Sequence, residues 1–104
     1  MTTIRSIASG GVQFDFPNGK TLSIMFSASN YGTNHHASMR SMTTPTDMEA
    51  RSVEVGIFDR NENGAIDDWY DMKTLEVATI ENDVAGWIPV DEALALIPKV
   101  RSMK

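Results

Sequence analysis

The sequence contains no cysteine among its 104 residues. Disulfide bonds, thiolate nucleophiles and zinc sites with cysteine ligands are therefore excluded. No apolar stretch approaches the length of about 20 residues that a membrane-spanning helix needs. The first residues also lack the charged and then apolar layout of a secretion signal. A cysteine-free chain fits a reducing compartment, so we expect a cytoplasmic protein.

Clustered positive charge is also missing. The net charge is -5, and the nine basic residues are spread from Arg5 to Lys104 without a run. A nucleic-acid-binding face needs clustered lysine and arginine, and an anionic membrane surface attracts basic segments. We therefore expect no direct nucleic-acid partner and no membrane partner. An acidic chain could still bind a basic surface of another protein.

The sequence patterns of common catalytic sites are absent too. There is no Gly-x-Ser-x-Gly motif and no glycine-rich phosphate loop that opens a helix. The two histidines, His35 and His36, are adjacent and have no aspartate or glutamate within ten residues. A metal site would therefore need distant ligands. We expect a binding protein without a catalytic site, a cofactor or a metal, rather than an enzyme.

Alternating apolar residues predict a small sheet. The alternation covers residues 12–16, 21–28, 52–58 and 74–80, and a further short strand is expected at 84–88. Asn18-Gly19 predicts a hairpin turn between the first two strands. Residues 69–71 are expected to re-enter the sheet, and residues 81–83 to form a polar turn. The pattern predicts the following inward residues: Val12, Phe14, Phe16, Leu22, Ile24, Phe26, Val53, Val55, Ile57, Leu75 and Val77. It places the following residues on the outer side: Gln13, Asp15, Ser23, Ser27, Glu54 and Gly56.

A short helix is predicted to follow the strands. Pro89 suits the first turn of a helix, and the acidic residues after it complement the positive end of the helix dipole. Pro98 should stop or kink the helix. We expect Trp87, just before the helix, in the core. The expected apolar stripe consists of Val90, Leu94, Ile97 and Val100. Together these patterns predict a single α+β domain over residues 1–104, with a small antiparallel β-sheet of about five to six strands and one short C-terminal helix.

The stretch from residue 29 to residue 51 breaks the alternation. Loops of this length are usually functional or disordered, and whether residues 36–50 are ordered stays open. Proteins recognise nucleotides with a few kinds of side chain. An aromatic ring stacks on the base, amides and an imidazole bind the edge of the base, and guanidinium groups hold the phosphate. The candidate ligand-binding residues are Asn30, Tyr31, Asn34, His35, Arg40 and Arg51. The competing interpretation is a surface loop rich in turn-forming residues.

Residues 59–67 partly match a calcium-binding loop. Oxygen-bearing side chains occupy positions one, three, five and nine, and a glycine occupies position six. The twelfth position needs a bidentate carboxylate, but Tyr70 stands there. We therefore favour a polar hairpin turn over a calcium site.

Four segments of the chain resemble a group of small phage-encoded proteins. They are residues 16–26 (FPNGKTLSIMF), 30–34 (NYGTN), 53–59 (VEVGIFD) and 86–93 (GWIPVDEA). Within that group, the size and the strand-rich layout look most like the phage Thoeris anti-defence proteins. This resemblance implies a homo-oligomer, a dimer or higher, in the host cell cytosol. It also implies sequestration of a cyclic nucleotide immune signal of the cyclic ADP-ribose type, without cleavage.

Two other functions compete with this one. An acidic surface could mimic nucleic-acid phosphates against a basic effector, as an anti-CRISPR protein would. The residues of that surface would be Asp59, Glu62, Asp67, Asp68 and Asp71. A small nucleotide-processing enzyme is the third alternative, although no set of base and nucleophile is visible.

Overall fold

The computed structural model of the chain describes residues 1–7, 10–26, 50–70, 72, 80–81 and 84–104. Within these residues, strands precede a single helix, which confirms the α+β prediction. The elements are β1 (Thr3–Ile7), β2 (Gly11–Asp15), β3 (Lys20–Met25), β4 (Ser52–Arg60), β5 (Ile66–Trp69), β6 (Ile80–Glu81), β7 (Val84–Pro89) and α1 (Val90–Arg101).

The strands form one antiparallel sheet in the order β1-β2-β3-β4-β7-β6, and β5 pairs with β4 outside this path. Strand β4 is the longest and lies at the centre. Along one side it pairs with β3, from Lys20 opposite Asp59 to Met25 opposite Glu54. Along the other side it pairs first with β7 and then, from Phe58 onward, with β5. The β4–β5 hairpin therefore extends the sheet beyond the end of β7.

One face of the sheet is apolar and is covered by α1, which packs on β3, β4 and β7. Alternation along the central strands produces this face, because every second side chain points to the same side. The predicted inward residues Leu22, Ile24, Val53, Val55 and Ile57 are all buried. Val12, Phe14 and Phe26 are partly buried and pack against this core.

The helix keeps three residues of the predicted apolar stripe: Val100 is buried, and Val90 and Ile97 are partly buried and pack against the core. Ala93, Leu96 and Val100 are buried, whereas Leu94, which was predicted to face inward, is 48% exposed. The prediction was wrong there because it gave no weight to alanine, whose small side chain allows α1 to approach the sheet closely. Pro98 was expected to stop or kink the helix, but α1 continues to Arg101. The Pro98 side chain is exposed, so water can replace the backbone hydrogen bond that proline removes.

Three residues near the sheet depart from the predicted burial. Ser23 and Gly56 were expected on the outer side, yet both are buried. Gly56 is covered by Trp69, since a methyl carbon added there would come within 2.9 Å of the indole ring. Ser23 stands opposite Gly56 in β3. Trp87 was expected in the core but is 46% exposed. It belongs to a bulge, described below, which turns it away from the alternation of β7.

Strand β1 was not predicted. Its residues are exposed up to Ile7, which is half-buried, and Ile4 is 66% exposed although it lies opposite Phe14. Because α1 covers only the central strands, β1 has no buried face that would impose an alternating pattern. The predicted strand at 74–80 lies outside the described residues, except for Ile80 in β6.

The turn between β2 and β3 also holds the end of the helix. Gly19 has a φ of 85° and donates its N–H to the carbonyl of Phe16 over 3.0 Å, so the predicted hairpin is confirmed. The Asn18 amide nitrogen donates to the carbonyl oxygens of Val100 and Met103, each over 2.8 Å. These carbonyls lie at and just past the C-terminal end of α1, where they lack partners within the helix. One side chain thus links the first hairpin to the last element.

Candidate functional site

The predicted nucleotide loop leaves and rejoins the sheet at one end. Of its candidate residues, the structure describes Arg51, which is exposed and whose carbonyl accepts the Val90 N–H over 3.0 Å. Because β3 and β4 are antiparallel neighbours, residues 27–49 connect two strand ends that lie side by side. The other candidates lie outside the described residues: Asn30, Tyr31, Asn34, His35 and Arg40.

Trp87 lies near this end of the sheet in an unusual backbone conformation. Gly86 and Trp87 together stand opposite Glu54, between the pairs that Val53 and Val55 make with β7. This is a β-bulge, and Trp87 in it has a φ of 57°. A positive φ is uncommon for a bulky residue and costs about 1–3 kcal/mol. The bulge therefore presents a large aromatic side chain at the sheet end that carries Arg51.

The face of the sheet opposite α1 carries a polar network centred on Asp15. Its carboxylate accepts hydrogen bonds from Arg5 Nη2 over 2.5 Å and from Thr21 Oγ1 over 2.7 Å. Arg60 Nε lies 3.3 Å from the same carboxylate, and Arg60 Nη2 donates to Gln13 Oε1 over 2.7 Å. Among the described residues, no buried side-chain nitrogen or oxygen lacks a partner. The members of this network satisfy one another, which indicates a structural role.

The stretch that resembles a calcium loop forms a hairpin turn between β4 and β5. Asn61 Oδ1 accepts the backbone N–H groups of Asn63 over 2.9 Å and of Ala65 over 3.1 Å, and Gly64 has a φ of 81°. The predicted polar hairpin is thus confirmed. In the described part of the chain, no three histidine, aspartate or glutamate side chains come together as a metal site.

The β4–β5 hairpin carries most of the predicted acidic surface. Asp59 is paired with Lys20 Nζ over 2.6 Å, and Asp71 lies outside the described residues. All side chains from Asn61 to Trp69 are exposed. No described cation lies within ion-pair distance of the remaining carboxylates. We call the following set the hairpin surface: Glu62, Ile66, Asp67, Asp68 and Trp69.

A small cleft adjoins the hairpin surface. It has a volume of about 80 Å³, which is room for a few water molecules or one functional group. Trp69 is 41% exposed, and its ring meets that of Phe58 at a centroid distance of 4.9 Å on the face of the sheet that carries Gly56. The cleft is lined by Lys20, Ile57, Phe58, Asp59, Asp68, Trp69 and Tyr70.

The sequence patterns did not predict the exposure of Trp87 or the cleft. The glycine before Trp87 is a signal for a bulge within a strand, although it does not say which neighbour takes the positive φ. The cleft has no sequence signal, because Lys20 reaches it from β3 and Asp68 from β5.

None of the family models, curated proteins or solved structures compared with this chain matches it. The resemblance to phage anti-defence proteins therefore stays a prediction. Within the described residues, no helix has the length and apolar character needed to cross a membrane.

Proposed function

We propose that this protein acts by binding, and that it sequesters a cyclic nucleotide signal of the cyclic ADP-ribose type as a homo-oligomer in the cytosol of a phage-infected cell. The observation that carries the proposal is that Arg51 and Trp87, both exposed, lie near the same end of the sheet. A guanidinium group and an aromatic ring suit the phosphate and the base of a nucleotide. The resemblance supplies the choice of nucleotide.

In this proposal the base stacks on Tyr31, and Asn30, Asn34 and His35 bind its edge. Arg40 and Arg51 hold the phosphates. Because these residues only bind, the signal leaves the protein unchanged. Release of an intact nucleotide after heating separates sequestration from the enzymatic alternative, which would yield a cleaved product.

The test is calorimetric titration with cyclic ADP-ribose. A hydrogen bond to a charged group contributes about 1.5–3 kcal/mol, so Arg51→Ala should weaken binding by about 10- to 150-fold. Arg101→Ala is the matched control, because it removes an exposed guanidinium at the far end of α1 and should leave the affinity unchanged. Failure of the unaltered protein to bind any of a panel of cyclic nucleotides would refute the proposal.

Native mass spectrometry of protein from defence-active cells supplements the titration. It reports the number of subunits and any retained small molecule in one measurement. A homo-oligomer that carries a nucleotide is the expected result.

We propose a second candidate function, inhibition of a basic effector protein. It is favoured by the hairpin surface, whose carboxylates Glu62, Asp67 and Asp68 have no cation beside them in the described part of the chain. The expected binding is sensitive to salt, since exposed charges are screened beyond about 10 Å at 0.1 M ionic strength. Reversal of Asp67 and Asp68 to lysine should weaken it at least tenfold. Unchanged affinity in that variant would count against this candidate.

A further inference from the structure

We propose that strand β1 is the surface through which two copies of this chain associate, by antiparallel pairing of one β1 with the other. This inference deepens the proposed function, because it rests on the homo-oligomer proposed there and names the contact that forms it. It uses residues outside the nucleotide site and the hairpin surface, so its experiment reports on association separately from ligand binding.

The outer edge of β1 presents main-chain hydrogen-bonding groups. Among the strands that the structure describes, β1 pairs with β2 alone, in a register without a bulge. The Ile7 carbonyl accepts the Gly10 N–H over 2.9 Å, which places the main-chain groups of Ile7 on the β2 side. Successive residues of an antiparallel strand direct these groups to opposite sides. Those of Ile4 and Ser6 therefore face outward.

The sequence of β1 does not protect this edge. Natural sheets discourage edge pairing with lysine, proline, a bulge or a charge that points inward. β1 contains neither lysine nor proline, and its one charged side chain, Arg5, is paired with Asp15 on the face away from α1. On the face that carries α1, Ile4 is 66% exposed. The edge is therefore open to pairing and carries an uncovered apolar side chain.

A second copy of β1 fits this edge. An antiparallel pair of identical strands has two-fold symmetry, which closes the contact as a dimer. Two registers are compatible with the outward groups. One sets Arg5 opposite the partner's Arg5, which is destabilising because like charges then stand side by side. The other sets Ile4 opposite the partner's Ile4 and Arg5 opposite the partner's Thr3, and this is the register that we assign.

The assigned register covers the apolar side chain. The two Ile4 side chains meet on the face that carries α1, and Phe14, which lies opposite Ile4 in β2 and is partly buried, extends this contact. Ile4 pairs with the partner's Ile4 and Ser6 with the partner's Thr2, which yields about six main-chain hydrogen bonds. Because β1 is already an extended strand, neither copy has to refold before it pairs.

The charges on the other face are complementary in the same register. Thr3 lies opposite Asp15 within each copy, so the strand next to the partner's Thr3 carries the partner's Asp15. Neighbouring strands are about 4.8 Å apart. Each Arg5 is then flanked by its own Asp15 and by the partner's Asp15, and the four groups alternate in sign around the two-fold axis.

Two variants and a matched control test the contact. Ser6→Pro removes an outward N–H, and proline is tolerated on an edge strand where that N–H faces solvent. Ile4→Lys changes one exposed side chain and carries the test if Ser6→Pro fails to fold. Leu94→Lys is the control, because Leu94 is an apolar residue of α1 with a comparable exposure of 48%. Analytical ultracentrifugation of the full chain without ligand, from micromolar to millimolar concentration, gives the dissociation constant of the dimer.

The unaltered protein should form a dimer whose dissociation constant rises at least tenfold in Ser6→Pro and in Ile4→Lys. Leu94→Lys should change it less than twofold. Hydrogen exchange followed by NMR locates the contact. The amides of Ile4 and Ser6 should exchange more slowly as the protein concentration rises, whereas that of Arg5, which faces β2, should be protected at every concentration.

The outcomes separate this inference from the proposed function. If the protein associates but neither variant weakens the dimer, or the Ile4 and Ser6 amides do not respond to concentration, the β1 contact is refuted and the homo-oligomer stands. A protein that stays monomeric throughout would refute both, and the titration with cyclic ADP-ribose then shows whether a monomer sequesters the nucleotide. A dimer with the expected behaviour that binds no cyclic nucleotide would refute the proposed function and leave the β1 contact in place.

Discussion

Trp69 packs across Gly56. We therefore expect Gly56→Ala to destabilise the protein when the indole ring is present and not when it is absent. A methyl carbon added at Gly56 would lie 2.9 Å from Cζ3 of Trp69 and 3.2 Å from Cγ1 of Val84. Favourable contacts between carbon atoms are about 3.5–4.0 Å long. Gly56→Ala therefore forces the indole ring to move by about half an ångström or more, which weakens its contact with Phe58.

The expected cost follows from that displacement. Overpacking costs about 1–3 kcal/mol, and an aromatic pair contributes about 0.5–1.5 kcal/mol beyond its buried area. Because Trp69 is partly exposed and can yield, Gly56→Ala should lower the free energy of unfolding by about 1–2 kcal/mol. The backbone of Gly56 does not have a positive φ, so alanine introduces no backbone strain.

Removal of the indole ring should abolish or reverse the destabilisation that Gly56→Ala causes. In a Trp69→Ala background only the contact with Val84 remains, while alanine still restricts the unfolded chain. That restriction stabilises a protein by about 0.4–1 kcal/mol where the backbone is compatible. Gly56→Ala should therefore be neutral or stabilising by a few tenths of a kcal/mol, which gives a coupling energy of about 1–2 kcal/mol between the two sites.

Urea unfolding of the four proteins, followed by far-UV circular dichroism, measures this cycle. If Gly56→Ala costs the same with and without Trp69, the indole ring does not lie across Gly56. A change in the denaturant slope would mean that a variant has lost two-state behaviour, in which case the thermal midpoints of the four proteins decide.

The remaining predictions concern the helix and its C-terminal cap. Leu96→Ala should destabilise the protein by about 2–4 kcal/mol, because Leu96 is buried under the sheet, whereas Leu94→Ala should cost less than about 1 kcal/mol. Equal losses of thermal stability in these two variants would contradict the burial pattern observed for α1. Asn18→Asp should cost about 2 kcal/mol, because it replaces a donor with a charged acceptor beside two helix carbonyls. Asn63→Asp, at an exposed turn position, makes the same charge change and should stay within about 0.5 kcal/mol; a comparable loss there would argue against the cap.

The parts of the fold that could be predicted are those where a single local preference, such as strand alternation or a turn glycine, determines the structure. Strands β2, β3 and β4 alternate because one face packs on the core, and Gly19 marks the turn because it tolerates a positive φ. β1 could not be predicted, because no helix lies over it and no pattern is imposed. The burial of Gly56 depends on Trp69, which reaches this face through the β4–β5 hairpin and lies across it.

The candidate sites were predictable in residue type but not in geometry. The acidic residues of the hairpin could be read as a surface, since the turn that carries them is local. That Asp59 is already paired, and that Asp68 comes to line a cleft with Lys20, depends on the register of β3, β4 and β5. For the nucleotide loop, the structure describes Arg51 alone among the six candidates. The structure also places Trp87 near the same sheet end. No periodic pattern in the sequence indicates the bulge that exposes this residue.

The position of α1 has a consequence for synthesis in the cell. Every strand that the structure describes precedes the helix in the chain, so the ribosome makes the apolar face of these strands before it makes the residues that cover it. Exposed apolar surface and unpaired strand edges favour aggregation of incomplete chains. The hydrogen bond from Asn18 to the end of α1 cannot form until a residue about eighty positions later has been made. We expect the yield of folded protein to depend on chaperones that protect the nascent sheet until the helix is available.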